Sequence, residues 1–337
     1  MPEPEFASKS KRPKKSPVLT DETQAVFARL RKMLGFPCIS YWTSSGGSIC
    51  QDDVMTMAQL IHNKPRHRML GLFIKSEGGN PQAALRLMHL LRNYYQRIVL
   101  FAPFECASAA TMVALGSDEI HMGSTSYLTA VDTSLKHDLS PIDHGNNLVS
   151  VSQDEVMRIL RLWKETQSKD NPYPEVYKYL HPLVIGALDR SSSLSIRICK
   201  ELLGYHMKDQ RRAERISREL NSAYPSHSYP ITAREAIRLG LNIKPLKMEI
   251  ETQLREINAL YSTMAQPLLT DYDQQNYHNN EICNILESDG VQVYYQVDKD
   301  WHYRKEERRW VSLNDKSAWH RVTRQGGKWV NTTFYIR

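Results

Sequence analysis

Between residues 38 and 122 the sequence alternates between short apolar runs and longer segments in which apolar residues recur with helical spacing. The apolar runs have the length of buried strands and lie at 38–42, 70–74, 98–102 and 119–122. The helical segments lie at 52–61, 81–95 and 109–115. Because strand–helix units with short connections place neighbouring strands in parallel, we predict an α/β fold with helices on both faces of the sheet.

The composition also divides the chain into four regions. Residues 1–17 combine Pro, Ser and Lys with few apolar residues, which predicts a disordered basic tail. Residues 18–248 hold the strand–helix units and a mainly helical continuation, and they form the predicted α/β domain. Residues 249–288 are predicted as a helical connector and residues 289–337 as a small Trp-rich β module. The last four tryptophans follow one another at intervals of 9, 9 and 10 residues, so we expect them to share one face of an antiparallel sheet.

The formal charge of +7 is concentrated at the two ends of the chain. Residues 1–18 contribute +3 and residues 299–337 contribute +6, so the middle is slightly acidic. Basic ends that contain aromatic residues can attract acidic partners or single-stranded nucleic acid, but short basic tails are more often merely solvated. We therefore do not expect nucleic acid as a partner, and we expect the C-terminal module to suit a separate partner protein.

The sequence shows no sign of a membrane span, a metal site or an organic cofactor. Its apolar runs are far shorter than the roughly 20 residues that cross a bilayer, and no apolar segment follows the N-terminal basic run, so we expect a cytoplasmic protein. The five cysteines are far apart and lack metal-ligand spacing, which favours reduced thiols. Without a His-Glu-x-x-His motif, a Walker loop or a dinucleotide fingerprint, no cofactor is implied.

Two local features favour the same chemistry. Gly78 and Gly79 directly follow a buried strand, where a backbone without Cβ atoms can turn its N–H groups toward an anion. Ser108 follows the next strand, at the start of a predicted helix and between the small residues Ala107 and Ala109. A serine there can expose its hydroxyl beside free backbone donors, which favours acyl transfer. Each feature alone is also typical of an ordinary turn or helix cap.

Together with the stretches at 114–120, 181–190 and 226–241, these residues resemble the serine dehydrogenase proteinase family. That family is related to signal peptide peptidase A and belongs to the Clp and crotonase superfamily. The resemblance covers residues 70–243, about half of the chain. It implies a crotonase/Clp-type spiral of ββα units, with a small β-rich C-terminal appendage added here, and assembly into homo-oligomers such as trimers or stacked rings.

The resemblance also implies roles for individual residues. It makes Ser108 the nucleophile and gives the oxyanion hole to the Gly78–Gly79 loop, through the N–H groups of Gly79 and Ala109. Clp-type peptidases have a histidine about 25 residues after the serine, and this sequence has none at that place. A lysine base would need a lowered pKa, whereas a histidine needs only an orienting partner. The candidates for the base, weighted almost equally, are Lys136, His137 and His227.

We therefore predict a serine peptidase that hydrolyses protein or peptide substrates through an acyl-enzyme on Ser108. The alternative is a catalytically inactive crotonase-type scaffold that acts by oligomerisation and recruits partners. A hydrogen bond between Ser108 Oγ and a Lys or His nitrogen would identify the base and favour the first hypothesis.

Overall fold

A computed structural model describes residues 12–62, 67–132, 134–165 and 171–336. The first eleven residues of the predicted basic tail lie outside the described residues. The helices are α1 (Thr20–Leu34), α2 (Gln51–Ile61), α3 (Pro81–Tyr94), α4 (Ala109–Leu115), α5 (Gln153–Glu165), α6 (Tyr173–Val176), α7 (Pro182–Gly204), α8 (Gln210–Ser222), α9 (Ala233–Leu239) and α10 (Met248–Met264).

The strands alternate with these helices in the first part of the chain and follow one another at its end. Those of the first part are β1 (Cys38–Thr43), β2 (Met69–Lys75), β3 (Arg97–Ala102), β4 (Glu105–Cys106), β5 (Glu119–Met122), β6 (Tyr127–Leu128), β7 (Ser134–Leu135), β8 (Val151–Ser152) and β9 (Ile243–Pro245). Those of the end are β10 (Leu269–Asp273), β11 (Asn276–Asn279), β12 (Ile282–Ser288), β13 (Val291–Gln296), β14 (Lys299–Arg304), β15 (Arg309–Asp315), β16 (Ala318–Gln325) and β17 (Lys328–Phe334).

A nine-stranded sheet in the order β17-β16-β13-β12-β1-β2-β3-β5-β9 forms the centre of the molecule. From β1 to β9 neighbouring strands are parallel, whereas β12, β13, β16 and β17 continue the sheet in antiparallel fashion. One face packs on α2, α3, α4, α7 and α8 through residues such as Met57, Leu87 and Val113. The other face packs on α1 and α10 through Phe27 and Leu254. Both faces of the sheet are therefore covered, as the alternation predicts.

Local sequence signals set the limits of several elements. Gly35, with φ 72°, ends α1 in the left-handed conformation that glycine adopts most easily. Asn80 begins α3, where its side-chain oxygen accepts a hydrogen bond from the Ala83 N–H at 3.0 Å, and Pro81 follows as the first helical residue. These signals explain why the helix and strand limits in this part agree closely with those expected from the sequence.

A second row of short extended segments lies beside the carboxyl ends of the parallel strands. Ile49 pairs with Gly79, Ser76 pairs with Cys106, and β4 pairs with β6. Leu128 of β6 then pairs with Ile231 in antiparallel fashion. Each unit thus contributes a long strand, a short strand and a helix. The predicted α/β fold class, a spiral of ββα units with a β-rich C-terminal region, is confirmed.

The C-terminal region is arranged differently from the expected separate module. Its strands β12, β13, β16 and β17 extend the large sheet, and only β10, β11, β14 and β15 form a sheet of their own. The helix of the predicted connector is present as α10, but the strands β10, β11 and β12 follow it within the same segment. This strand is buried along its whole length, and the polar Asn284 and Glu287 interrupt its apolar run. Because these polar residues interrupt the apolar run, hydrophobic periodicity does not indicate a buried strand here.

The four late tryptophans do not share one face. Trp301 and Trp310 lie in the four-stranded sheet, whereas Trp319 and Trp329 lie in the large one.

The part of the predicted N-terminal tail that the structure describes contacts the C-terminal region: the backbone N–H of Lys14 donates to Thr270 Oγ1 at 3.1 Å. Across the described ranges, no helix has both the length and the apolar content to cross a bilayer.

Candidate active site

Ser108 occupies a strained turn between the short strand β4 and the helix α4. Its φ of 53° and ψ of −119° lie outside the regions that most non-glycine residues adopt. On a strained strand-to-helix turn of this kind, a serine can expose its hydroxyl group. The flanking Ala107 and Ala109 are buried. Backbone strain of this kind concentrates at functional sites.

Two threonines hold this turn in place. Thr129 Oγ1 accepts a hydrogen bond from the Ser108 N–H at 2.8 Å. The Thr129 N–H donates to Thr111 Oγ1 at 3.1 Å, and the Thr111 hydroxyl donates to the carbonyl of Cys106 at 2.8 Å. The segment that follows β6 is therefore fixed to the backbone of Ser108. Sequence reasoning missed Thr129 because only the folded chain brings it next to the serine.

The glycine pair packs directly against Ser108. Gly78 has a φ of 111°, and a Cβ atom there would lie 2.6 Å from Ser108 Cβ and 3.0 Å from the Ala109 nitrogen. Gly79 has a φ of 147°, and a Cβ atom there would lie 2.4 Å from the carbonyl oxygen of Ile49. Neither position accepts a side chain without a shift of the neighbouring backbone. The two glycines allow the loop to approach the serine closely.

The backbone N–H groups of this loop differ in their availability. The Gly78 N–H donates to Ser76 Oγ at 3.1 Å and is thus already engaged. Within the described ranges, the N–H groups of Gly79 and Ala109 donate no hydrogen bond. Gly79 directly follows Gly78, which packs against Ser108 and Ala109, so both N–H groups belong to the backbone around the serine. They can stabilise an oxyanion, whereas Gly78 serves close packing.

His227 is paired with an acid that sequence reasoning did not single out. Its Nδ1 lies 2.6 Å from Asp132 Oδ1, and Asp132 is the better buried of the two side chains. The hydrogen bond to Asp132 raises the pKa of His227 above its usual value, against the opposite effect of burial. The pairing of Leu128 with Ile231 brings the two segments that carry Asp132 and His227 next to each other.

The His227–Asp132 pair belongs to the segment that is fixed to Ser108. Asp132 follows Thr129 by three residues, and an extended chain spans at most about 10 Å over that distance. With Nδ1 bound to Asp132, the Nε2 atom of His227 is left for proton transfer, as in a serine–histidine–acid arrangement. In the described part of the chain Ser108 Oγ has no hydrogen-bond partner. Hydrogen bonds between a catalytic serine and its base are often long or absent without substrate and form when substrate binds.

The other two base candidates are engaged differently. Lys136 follows β7 and is exposed, which keeps its ammonium group in water. The Nδ1 atom of His137 accepts a hydrogen bond from the Leu139 N–H at 3.1 Å. The backbone N–H of His137 donates to Ser140 Oγ at 3.0 Å. Its ring therefore closes a local turn and has no carboxylate partner among the residues described. Within the described residues no hydrogen bond joins Ser108 Oγ to Lys136, His137 or His227, and all three assignments remain predictions.

No group of three or more His, Cys, Asp or Glu side chains is arranged to hold a metal ion in the described part of the molecule. All five cysteines are free thiols there. Burial raises the pKa of the Cys38 thiol to about 12, which makes it a poor nucleophile.

No known family model matches the chain. Among curated proteins, it is 21% identical over 192 residues to the uncharacterised protein MJ0137 of Methanocaldococcus jannaschii. The match covers 57% of this chain and 59% of that protein, so the chain spans about three fifths of its relative's length.

Among solved structures, the chain is similar to two mutants of the 1510-N membrane-bound stomatin-specific protease. The mutant in complex with a substrate peptide is 15% identical, with 63% of this chain and 74% of that chain covered and a TM-score of 0.36. The other mutant is 14% identical, with 70% and 88% covered and the same TM-score of 0.36. A methylmalonyl CoA decarboxylase is 10% identical, with 55% and 93% covered and a TM-score of 0.23.

Proposed function

We propose that this protein is a serine peptidase in which Ser108, His227 and Asp132 act together. The observation that carries the proposal is the strained turn at Ser108, beside which the N–H groups of Gly79 and Ala109 are free of hydrogen bonds within the described residues. A hydroxyl group next to two such donors is the arrangement that acyl transfer requires. The peptide substrate class follows from the sequence resemblance.

In the proposed reaction, Ser108 Oγ attacks the carbonyl carbon of a peptide bond while His227 Nε2 takes its proton. Asp132 holds the ring and stabilises the imidazolium that forms. The negative charge on the substrate oxygen is shared by the N–H groups of Gly79 and Ala109. The carbon–nitrogen bond then breaks as His227 returns the proton to the leaving amine. Water, activated by the same histidine, hydrolyses the acyl-enzyme and releases Ser108.

The choice of His227 over the two other candidates rests on its partner. A histidine acts as a base when one ring nitrogen is held by an acid and the other is free. His227 meets this condition through Asp132, whereas His137 binds a backbone N–H and Lys136 is exposed. In the Clp pattern the histidine comes about 25 residues after the serine, where this chain has Asp132, and His227 lies beside the position of the Clp acid.

A fluorophosphonate probe tests the proposal, because it forms a covalent bond only with an activated serine. We expect labelling of the wild type and none of the Ser108→Ala variant. Replacing the base separates the candidates: His227→Ala should slow labelling by at least about 10²-fold, while His137→Ala and Lys136→Ala should label like the wild type. An unlabelled wild type would contradict the peptidase hypothesis and would favour the alternative, a catalytically inactive scaffold.

We also propose that the protein forms homo-oligomers. Helix α5 leaves Met157, Ile159 and Leu162 between 51 and 60% exposed, although Val156 and Leu160 on the same helix are buried. Apolar side chains exposed on successive turns are typical of a surface that another chain covers. Light scattering of the purified protein would measure its mass, and a monomer at micromolar concentration would contradict this part of the proposal.

A further inference from the structure

The loop between β1 and α2 lies directly behind the glycine pair. The Ile49 N–H donates to the Gly78 carbonyl at 2.8 Å, and the Asn80 N–H donates to the Ile49 carbonyl at 2.8 Å. Ile49 is buried and leaves no room for a Cβ atom on Gly79. The Gly78 carbonyl and the Gly79 N–H belong to the same planar peptide group, so the hydrogen bond from Ile49 to that carbonyl fixes the direction of the Gly79 N–H, the proposed oxyanion donor.

A side chain from the C-terminal region holds this loop. Asn284, in the middle of β12, is 4% exposed and uses both N–H groups of its amide. One donates to the Ser48 carbonyl at 2.9 Å, and the other donates to Asp53 Oδ1 at 2.8 Å. A Cβ atom on Gly47 would lie 2.5 Å from Asn284 Oδ1 and 2.3 Å from the Cys283 carbonyl oxygen. The loop therefore contacts β12 both at the side-chain amide of Asn284 and at the backbone of Cys283.

Asp53 completes the support from the other end of the loop. Its carboxylate is 1% exposed, and it accepts hydrogen bonds from the Tyr41 hydroxyl at 2.5 Å and from the Cys50 N–H at 2.7 Å. Ile49 therefore lies between two anchored residues: Ser48 is held by Asn284, and Cys50 is held by Asp53. The anchors are linked, because Asn284 also donates to Asp53.

We propose that Asn284 is a positioning residue for the oxyanion hole, and that the C-terminal strands thereby contribute to the active site. This inference rests on the proposed function, since it concerns the same reaction. Asn284 acts through Ser48 and Ile49 on the Gly79 N–H and does not contact the substrate. An oxyanion donor stabilises the transition state only when its N–H points at the place where the negative charge develops. A shift of Ile49 would turn that donor away.

The molecule supplies a matched control for Asn284. Gln292 of β13 is a second buried amide of the C-terminal strands, and its Nε2 donates to the buried carboxylate of Glu287 at 2.7 Å. Asn284→Ala and Gln292→Ala thus each remove an amide from a buried carboxylate, but only Asn284 reaches the loop behind Gly79. The two variants separate a loss of stability from a loss of positioning.

The test measures the saturating rate and the half-saturating probe concentration of fluorophosphonate labelling, per folded molecule. We expect Asn284→Ala to lower the saturating rate at least about ten-fold with an unchanged half-saturating concentration, and Gln292→Ala to change neither more than about two-fold. Gly47→Ala, in the surface loop, should slow labelling as well, because its Cβ atom would displace the loop from β12. This variant decides the question if Asn284→Ala does not fold.

The outcomes separate the two proposals. Wild-type rates in folded Asn284→Ala, or in Gly47→Ala if only that variant folds, would overturn the positioning role while the peptidase proposal stands. An equal loss of rate in Gln292→Ala would also overturn it, since general destabilisation would then explain the effect. A wild type that is not labelled at all would overturn the peptidase proposal, and the positioning role with it.

Discussion

At the level of single residues, Gly78 limits what the site tolerates. Its φ of 111° and its contact with Ser108 exclude a side chain, so Gly78→Ala must push the serine out of place. We expect this variant to fold and to lose labelling at Ser108 by at least about 10²-fold. Gly290→Ala is the matched control, because Gly290 also has a positive φ of 79° but has open space where the Cβ atom would lie. Equal labelling of both variants would contradict the close packing of Gly78 on the serine.

The pair of His227 and Asp132 predicts a pH dependence. A base must be neutral to accept a proton, so labelling should fall as the pH drops through the pKa of His227, which Asp132 raises above its usual value. Asp132→Asn removes the negative charge, and the midpoint of this acid limb should move to lower pH. The maximal rate should also fall, by up to about 10⁴-fold, because the ring loses its orienting acid. The pH profile of the residual labelling rate measures both effects.

The control for this profile is His137→Ala, which removes a histidine whose ring partner is the backbone N–H of Leu139. It should leave the acid limb where it is in the wild type. If Asp132→Asn did not move the midpoint, another group would have to be the base.

At the level of elements, β12 joins helices α1 and α10 to the sheet through one buried carboxylate. Glu287 is fully buried and accepts hydrogen bonds from Thr23 at 2.6 Å, from Tyr261 at 2.8 Å and from Gln292 at 2.7 Å. Burial raises its pKa to about 7, although these hydrogen bonds act in the opposite direction. The carboxyl group therefore titrates near neutral pH in the folded protein.

This titration predicts how stability depends on pH. In the unfolded chain Glu287 ionises near pH 4.5, whereas in the folded protein it keeps its proton up to about 7. The folded state binds more protons in this interval, so its free energy of unfolding should fall by roughly 3 kcal/mol as the pH rises from 4 to 8. Above pH 8 the contribution is constant. Asp53, with a pKa raised to about 6 by burial, acts in the same direction.

Glu287→Gln isolates this contribution, because glutamine has the same shape and does not titrate. The difference in free energy of unfolding between wild type and variant should favour the wild type more at pH 5 than at pH 8. Denaturant unfolding at both pH values measures it. A difference that does not change with pH would show that Glu287 has the same charge in both states over this range.

At the level of the whole molecule, the C-terminal strands are part of the central sheet. Strand β12 pairs with β1, and its residues Ile282, Ile285 and Leu286 are fully buried in the same cores as the parallel strands. We therefore expect one cooperative transition in calorimetry. A chain that ends at residue 281 should not fold, since the edge of β1 and both cores would be open to water. Two separate transitions, or a stable truncated chain, would contradict this view.

Local patterns in the sequence determined the first half of the fold. The helical spacing from Pro81 onward, the glycine after α1 and the buried strands all depend on residues that are near one another in the chain, so they could be predicted without a structure. The placement of Ser108 at a strand-to-helix turn, with a glycine pair after the preceding strand, was predictable for the same reason.

Only the tertiary structure decided which distant residues meet. Asp132 and His227 are 95 residues apart, and Asn284 lies 236 residues from Ser48. Their contacts depend on the pairing of Leu128 with Ile231 and on the insertion of β12 beside β1, which no local periodicity encodes. Sequence by itself therefore determined the strand–helix units and the positions of Ser108 and the glycine pair along them. The partner of His227 and the support behind Gly79 became visible only once those units were packed together.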